Sequence, residues 1–263
     1  MTSPDLGPQL ELDLQFAEVQ DKAAHVHELE PETLAAAFET EPTNVCSCVD
    51  EGAKDGKVRL AGAGISHPGG AEAVAALLRE QGVTEVSSHD HCGAAKSAYY
   101  REHGLPVDAT VSQTDINAFA RAWAEEVAAK AGIRASHQSA DELQRPVEYH
   151  EAGVVYIVGD VGTQTFKQRT VERLPPGFVV STAGISVDEV TKTVAFVDGI
   201  ARSDHGFGER FSSDQPLRYI IVGEVDPQLH AALSARTESD ESLVLTTLPL
   251  PQKPEVLLSE EAS

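Results

Sequence analysis

Apolar residues switch between two spacings along this chain, and the switching predicts strands and helices in turn. Asn44–Val49 and Lys57–Ala61 read as short strands, the second ended by Gly62 and Gly64. Ala71–Gln81 reads as a helix with Val74, Leu77 and Leu78 on one face and Gly82 as its stop. Val83–Ser88 is a third strand, and Cys92–Tyr100 opens the next helix. Thr114–Ala131 places Ile116, Phe119, Ala120, Trp123 and Val127 at helical spacing and closes at Gly132, with Trp123 as a core anchor. Gly153–Val158 is apolar and β-branched, as a buried strand is. Strand signals recur at Phe178–Ser181 and Arg218–Val222, and Asp188–Ala201 between them reads as a helix rich in β-branched residues. The alternation predicts an α/β fold, a mostly parallel sheet flanked by helices. No internal repeat is visible in the sequence.

The ends differ from the middle. Residues 1–40 form an acidic arm with one helical stretch at Pro31–Thr40, expected to pack on a partner subunit or to be partly disordered. Residues 41–235 carry the alternating pattern. Residues 236–263 read as an acidic tail without a core of its own.

Charge narrows the function. Forty-two acids against 20 bases give a formal net charge of −22. Nothing resembles the basic cluster that displaces counterions from phosphates, so nucleic acid and anionic membrane surfaces are poor partners. The acidity reads as a solvated surface. No run approaches the roughly 18 apolar residues of a membrane span, and Met1–Gln20 lacks the pattern of a secretory signal. The expectation is a soluble, cytoplasmic protein.

Cys46, Cys48 and Cys92 are too few and too oddly spaced for a disulfide framework, and point to metal binding, catalysis or plain burial. Cys48-Val49-Asp50 ends the first predicted strand, and His89-Asp90-His91-Cys92-Gly93 follows the third. Both sit where open α/β sheets place ligands. Two thiolates and an imidazole suit zinc, and a helix N-terminus at Cys92 favours its thiolate. Cys48, His89 and Cys92 are three candidate ligands. Cys46 or Asp50 is the candidate for a fourth.

These segments, with Val58-Arg59-Leu60-Ala61-Gly62 between them, resemble the β-class carbonic anhydrases. That family carries Cys-x-Asp-x-Arg, Arg-Asn-Ala-Gly and His-x-x-Cys-Gly in the same order. The resemblance covers residues 44 to about 100. It implies Zn2+ on Cys48, His89 and Cys92, with Asp50 accepting a hydrogen bond from the zinc-bound hydroxide that attacks carbon dioxide to give bicarbonate. It also implies a homodimer or a higher assembly, with the site near the subunit interface.

Two positions depart from the family. Gly52 stands where the Arg that pairs with the aspartate is expected, and Leu60 where Asn is usual. Without that Arg, Asp50 is expected to be free to join the ion and close the site to water. Arg59, Lys54 and Lys57 are candidate replacements, each read more simply as a surface charge. Two further functions stay open: a zinc hydrolase of carbonyl sulfide or carbon disulfide, and a catalytically silent structural or regulatory relative.

Other signals are weaker. His91 is expected to point away from the ligands, with proton shuttling as its alternative role. His25 and His27 read as solvated or structural. Asp204, His205 and Glu209 flank a turn at Gly206–Gly208, and Gly159 and Gly162 lack dinucleotide-binding spacing, so no nucleotide cofactor is indicated.

Overall fold

The computed structural model describes residues 8–39, 43–106, 108–162 and 164–248. Residues 1–7 of the arm, Thr40 at the end of its expected helix, and residues 249–263 of the tail lie outside that range.

The chain opens with helices α1 (Pro8–Ala24) and α2 (Pro31–Ala35), then β1 (Phe38–Glu39), which pairs antiparallel with β7 (Thr165–Phe166). The remaining strands form two four-stranded sheets, both wholly parallel. The first contains β2 (Val45–Ser47), β3 (Val58–Arg59), β4 (Glu85–His89) and β5 (Arg134–Gln138), in the spatial order β3-β2-β4-β5. The second contains β6 (Val154–Val158), β8 (Gly177–Ser181), β9 (Leu217–Val222) and β10 (Leu243–Leu248), in the order β8-β6-β9-β10. Counted within its own half, each sheet therefore reads second, first, third, fourth. The sequence shows no repeat, but the topology does.

Helices fill the same intervals in both halves. In the first, α3 (Gly70–Glu80) joins the second strand to the third, and α4 (Gly93–Glu102) and α5 (Gln113–Ala131) join the third to the fourth. In the second, α6 (Val187–Ala201) and α7 (Pro227–Glu238) take those places. Local chemistry sets their ends. Ser112, Ser186 and Asp226 accept backbone N–H groups at the starts of α5, α6 and α7, and Gly132 closes α5 with a φ of 72°. All five residues of β6 are buried, as expected of a central parallel strand covered on both faces. Trp123 packs against the core and donates from Nε1 to the Ala63 carbonyl at 3.1 Å.

The described parts of the arm and of the tail are built into the fold. Helix α1 buries Phe16 and Val19 in the main core, Phe16 lying 5.0 Å from Phe207 and 5.2 Å from Phe211 between ring centres. The acidic arm thus packs on the second half of its own chain. Helix α7 runs past Ala235, and β10 completes the second sheet within the stretch read as a coreless tail. Among the described residues, no helix is long and apolar enough to cross a membrane.

Candidate metal centre

The strand-to-loop exits at one end of the first sheet gather the candidate ligands. The ladder between β2 and β4 stops at Cys46 and Val86, and beyond it the chains part. Cys48 leaves β2, His89 ends β4, and Cys92 caps α4. Their ligand atoms all lie within 4.8 Å of one another, and all three residues are buried.

The group fits zinc. Cys48 Sγ and Cys92 Sγ are 3.9 Å apart; two sulfurs on a tetrahedral zinc, each at roughly 2.3 Å, would lie about 3.8 Å apart. His89 donates from Nδ1 to the Asp90 carbonyl at 2.7 Å, which leaves Nε2 as the free ligand atom. That Nε2 is buried and has no hydrogen-bond partner. A buried orphan nitrogen beside two thiols is a site asking for a cation. The Gly62 N–H supports Cys48 Sγ at 3.2 Å.

Cys46 does not join them. The strand ends at Ser47 and the chain turns, so Cys46 packs in a separate cluster with Val58, Val74 and Leu78. Burial and the neighbouring Cys48 push its thiol up to about 12.

Asp50 lies beside the ligands, its Oδ2 4.0 Å from His89 Nε2. It is not free. Arg145, from the loop after β5, donates from Nε to Oδ1 and from Nη2 to Oδ2, each at 2.8 Å. The Gly52 N–H adds a third bond, to Oδ1, at 2.8 Å. Arg145 therefore provides a cation for Asp50 where the resemblance led to one being expected at position 52. Gly52 is what admits it, since a Cβ there would fall 2.4 Å from Arg145 Cγ.

The three cations proposed from sequence act elsewhere. Arg59 is 2% exposed and not a surface charge. Its guanidinium reaches the main-chain carbonyls of Cys48 and Asp50, both at 2.6 Å, and fixes the loop rather than the carboxylate. Lys54 pairs with Glu85 at 2.7 Å, and Lys57 donates to the Gln81 carbonyl at 2.8 Å.

A second group, Asp50, Glu51 and His150, also has ligand atoms within 4.8 Å of one another. His150 Nδ1 lies 2.9 Å from Glu51 Oε2 and 3.9 Å from Asp50 Oδ2. Arg145 and the Glu151 N–H also lie near Glu51, at 3.8 Å and 3.0 Å. With Arg145 on both oxygens of Asp50, these residues already form a paired network.

The charges follow from this packing. A hydrogen bond from Cys92 holds the Cys48 thiol low despite burial, and the same bond holds the Cys92 thiol high. Burial alone would depress His89, but the Cys48 and Asp50 charges outweigh it and push it up to about 9. Burial would raise Asp50, but its bonds from Arg145 and the nearby His89 and His150 hold it well below the carboxylate range.

The remaining residues stand apart. His91 adopts the left-handed region with φ 56°, and its N–H donates to Asn117 Oδ1 at 3.2 Å. His25 and His27 contact Asp21 and Glu28 in the first helical region. His205 gives its carbonyl to the His150 N–H at 2.6 Å and its own N–H to Ser203 Oγ at 3.1 Å. Arg145, Glu51 and His150 escaped the sequence reading, because Arg145 and His150 sit in a polar connection with no local pattern.

No protein-family model matches the chain, and neither a curated protein nor a solved structure matches it. Fold and site thus define an α/β protein of two parallel sheets with a Cys-His-Cys group compatible with zinc.

Proposed function

We propose that this protein is a zinc-dependent lyase that interconverts carbon dioxide and bicarbonate, in the manner of the β-class carbonic anhydrases. The observation that carries the reading is the Arg145–Asp50 pair beside His89 Nε2, which supplies from a distant loop the partner that the motif at position 52 lacks. Cys48, His89 and Cys92 would hold the zinc, which when bound supplies a Lewis acid able to bring the pKa of water to about 7.

The protein's own groups then orient the reaction. Asp50 Oδ1 is filled by Arg145 and Gly52, while Oδ2 keeps acceptor capacity on the side of His89. An ionised carboxylate only accepts. Oδ2 would thus accept the hydrogen of an oxygen nucleophile activated by zinc on Cys48, His89 and Cys92, and so orient it toward the substrate. Arg145 holds Asp50 ionised and away from coordination. Val49, Ala53, Ile65, Ala94 and Ala95 share the ligands' core cluster, and such apolar surroundings admit an apolar gas.

The test is stopped-flow hydration of carbon dioxide by zinc-loaded protein beside a Cys48→Ser control. Activity lost in the control supports the reading. An inert protein that holds zinc overturns it, and sulfide released from carbonyl sulfide or carbon disulfide would then identify the substrate as a sulfur gas.

A further inference from the structure

The two halves correspond beyond strand order. In the first, Asp50 accepts the Gly52 N–H at 2.8 Å; in the second, Asp160 accepts the Gly162 N–H at 2.8 Å. Each second strand runs into an Ala-Gly pair, Ala61-Gly62 and Ala183-Gly184, with the glycine left-handed in both, at φ 55° and 74°. Each third strand leads to a helix, capped by Cys92 in one half and Asp226 in the other.

These landmarks align the site. Counting back two residues from Asp160 puts Val158 at the place of Cys48. Counting back three from Asp226 puts Gly223 at the place of His89. The strand registers agree independently. Extending the Cys46–Val86 pairing sets Cys48 opposite Ser88, and in the second sheet Val158 pairs with Val222, one residue before Gly223. The three ligands are therefore replaced by Val158, Gly223 and Asp226.

The cleft itself is also closed. Where β2 and β4 part, β6 and β9 continue to pair: the Gly159 N–H donates to Val222 at 2.9 Å and the Asp160 N–H to Glu224 at 3.2 Å. A Cβ on Gly159 would lie 1.9 Å from the Glu224 carbonyl oxygen, so backbone fills the space that the ligands open in the first half.

The halves meet through like parts. Their second strands, β3 and β8, adjoin, with the Arg59 N–H on Ser181 Oγ at 2.8 Å, and the Val179 N–H of β8 also reaches the Val49 carbonyl, in the loop after β2, at 2.9 Å. A contact of like surface with like surface is how two copies pair about a two-fold axis. Beside the ligand loop, a cavity of about 240 Å³ lies between Leu60 and Ala61 of one half and Ile185 and Phe196 of the other. Ile200 of α6 comes against Gly93, next to Cys92.

We infer that residues 154–248 are a second copy of the module formed by residues 45–138, one that has lost its metal site and serves as a built-in partner subunit, so that a single chain completes a single site. The metal count rests on the zinc reading of Cys48, His89 and Cys92; the built-in partner does not. This replaces the expected homodimer as the unit that forms the site.

The experiment is zinc analysis of the full chain with sedimentation across a dilution series. The expected result is one zinc per chain, lost in Cys48→Ser, unchanged in Asp226→Ala, and retained in a monomeric species at the lowest concentration. Two zinc ions per chain, or zinc released as a dimer dissociates, would overturn it. Protein that holds no zinc at any concentration overturns the metal reading instead, and under that outcome a folded monomer still supports the built-in partner, while unfolding on dissociation of a dimer refutes it.

Discussion

Arg145 grips both carboxylate oxygens of Asp50 across 95 residues of sequence, at 2.8 Å on each side. Both side chains are almost wholly buried. Removing one member of a buried pair strands the other charge. Arg145→Ala is therefore expected to lower unfolding free energy by about 3–5 kcal/mol, measured in denaturant. Arg145→Lys, which cannot form the two-pronged contact, is expected to recover only part of it.

Position 52 and Arg145 compete for one space. Gly52→Ala is expected to push the Arg145 stem aside and destabilise by about 1–3 kcal/mol, the range for overpacking a filled interior. Gly52→Arg in an Arg145→Ala background is expected to regain stability over Arg145→Ala alone, because the vacated channel lets the new guanidinium reach Asp50. Equal melting curves for those two variants would contradict the exchange.

The cysteines are expected to separate cleanly. Cys46→Ala keeps the bound zinc, whereas Cys48→Ala and Cys92→Ala lose it, as read by metal analysis after dialysis. A chelator should lower the melting temperature of the native protein and leave Cys48→Ala unmoved, because a ligand that binds only the folded state stabilises only that state.

His150 sets a pH dependence. Burial would lower its pKa, but the Glu51 and Asp50 charges prevail over burial and over Arg145, so it is raised. A group raised on folding stabilises fully below its unfolded pKa of about 6.5 and loses that contribution as pH climbs through the raised value. In a Cys48→Ser background, which removes the proposed metal binding, the stability gap between His150 and His150→Asn should shrink as pH rises above about 6.5. A constant gap would refute the assignment.

Asp50 has the opposite sign. Its carboxyl is held below the ordinary range, so its contribution is present above about pH 4 and fades as pH falls towards the lowered value. Acid titration of unfolding should begin later in Arg145→Ala than the lost stability alone would give, because that variant no longer holds Asp50 low.

Much of the first half was legible. Spacing predicted α3 and α5 nearly to the residue, because each presents one apolar face, and the three candidate ligands stood in short motifs at strand ends. Strand β5 was not legible: Arg134-Ala-Ser-His-Gln is polar and half exposed, with no alternation to mark it. Helix α7 buries only Leu229 and Leu233, and α1 spaces its leucines by two rather than by three and four. Arg145 was invisible for another reason. Its partner is chosen by how the loop after β5 folds back, which no local spacing encodes. The repeat was hidden because copies of a fold need keep only the burial pattern, and Val158 and Gly223 offer no ligand atom at all, leaving a lone carboxylate at Asp226.

Arg59 belongs to both the seam and the ligand loop. Its main-chain N–H is fastened to Ser181 across the seam, while its guanidinium is fastened to the carbonyls of Cys48 and Asp50. Any slippage between the halves is therefore transmitted as a tug on the loop that carries Cys48, so a disturbance at the seam reaches the first candidate ligand through one side chain.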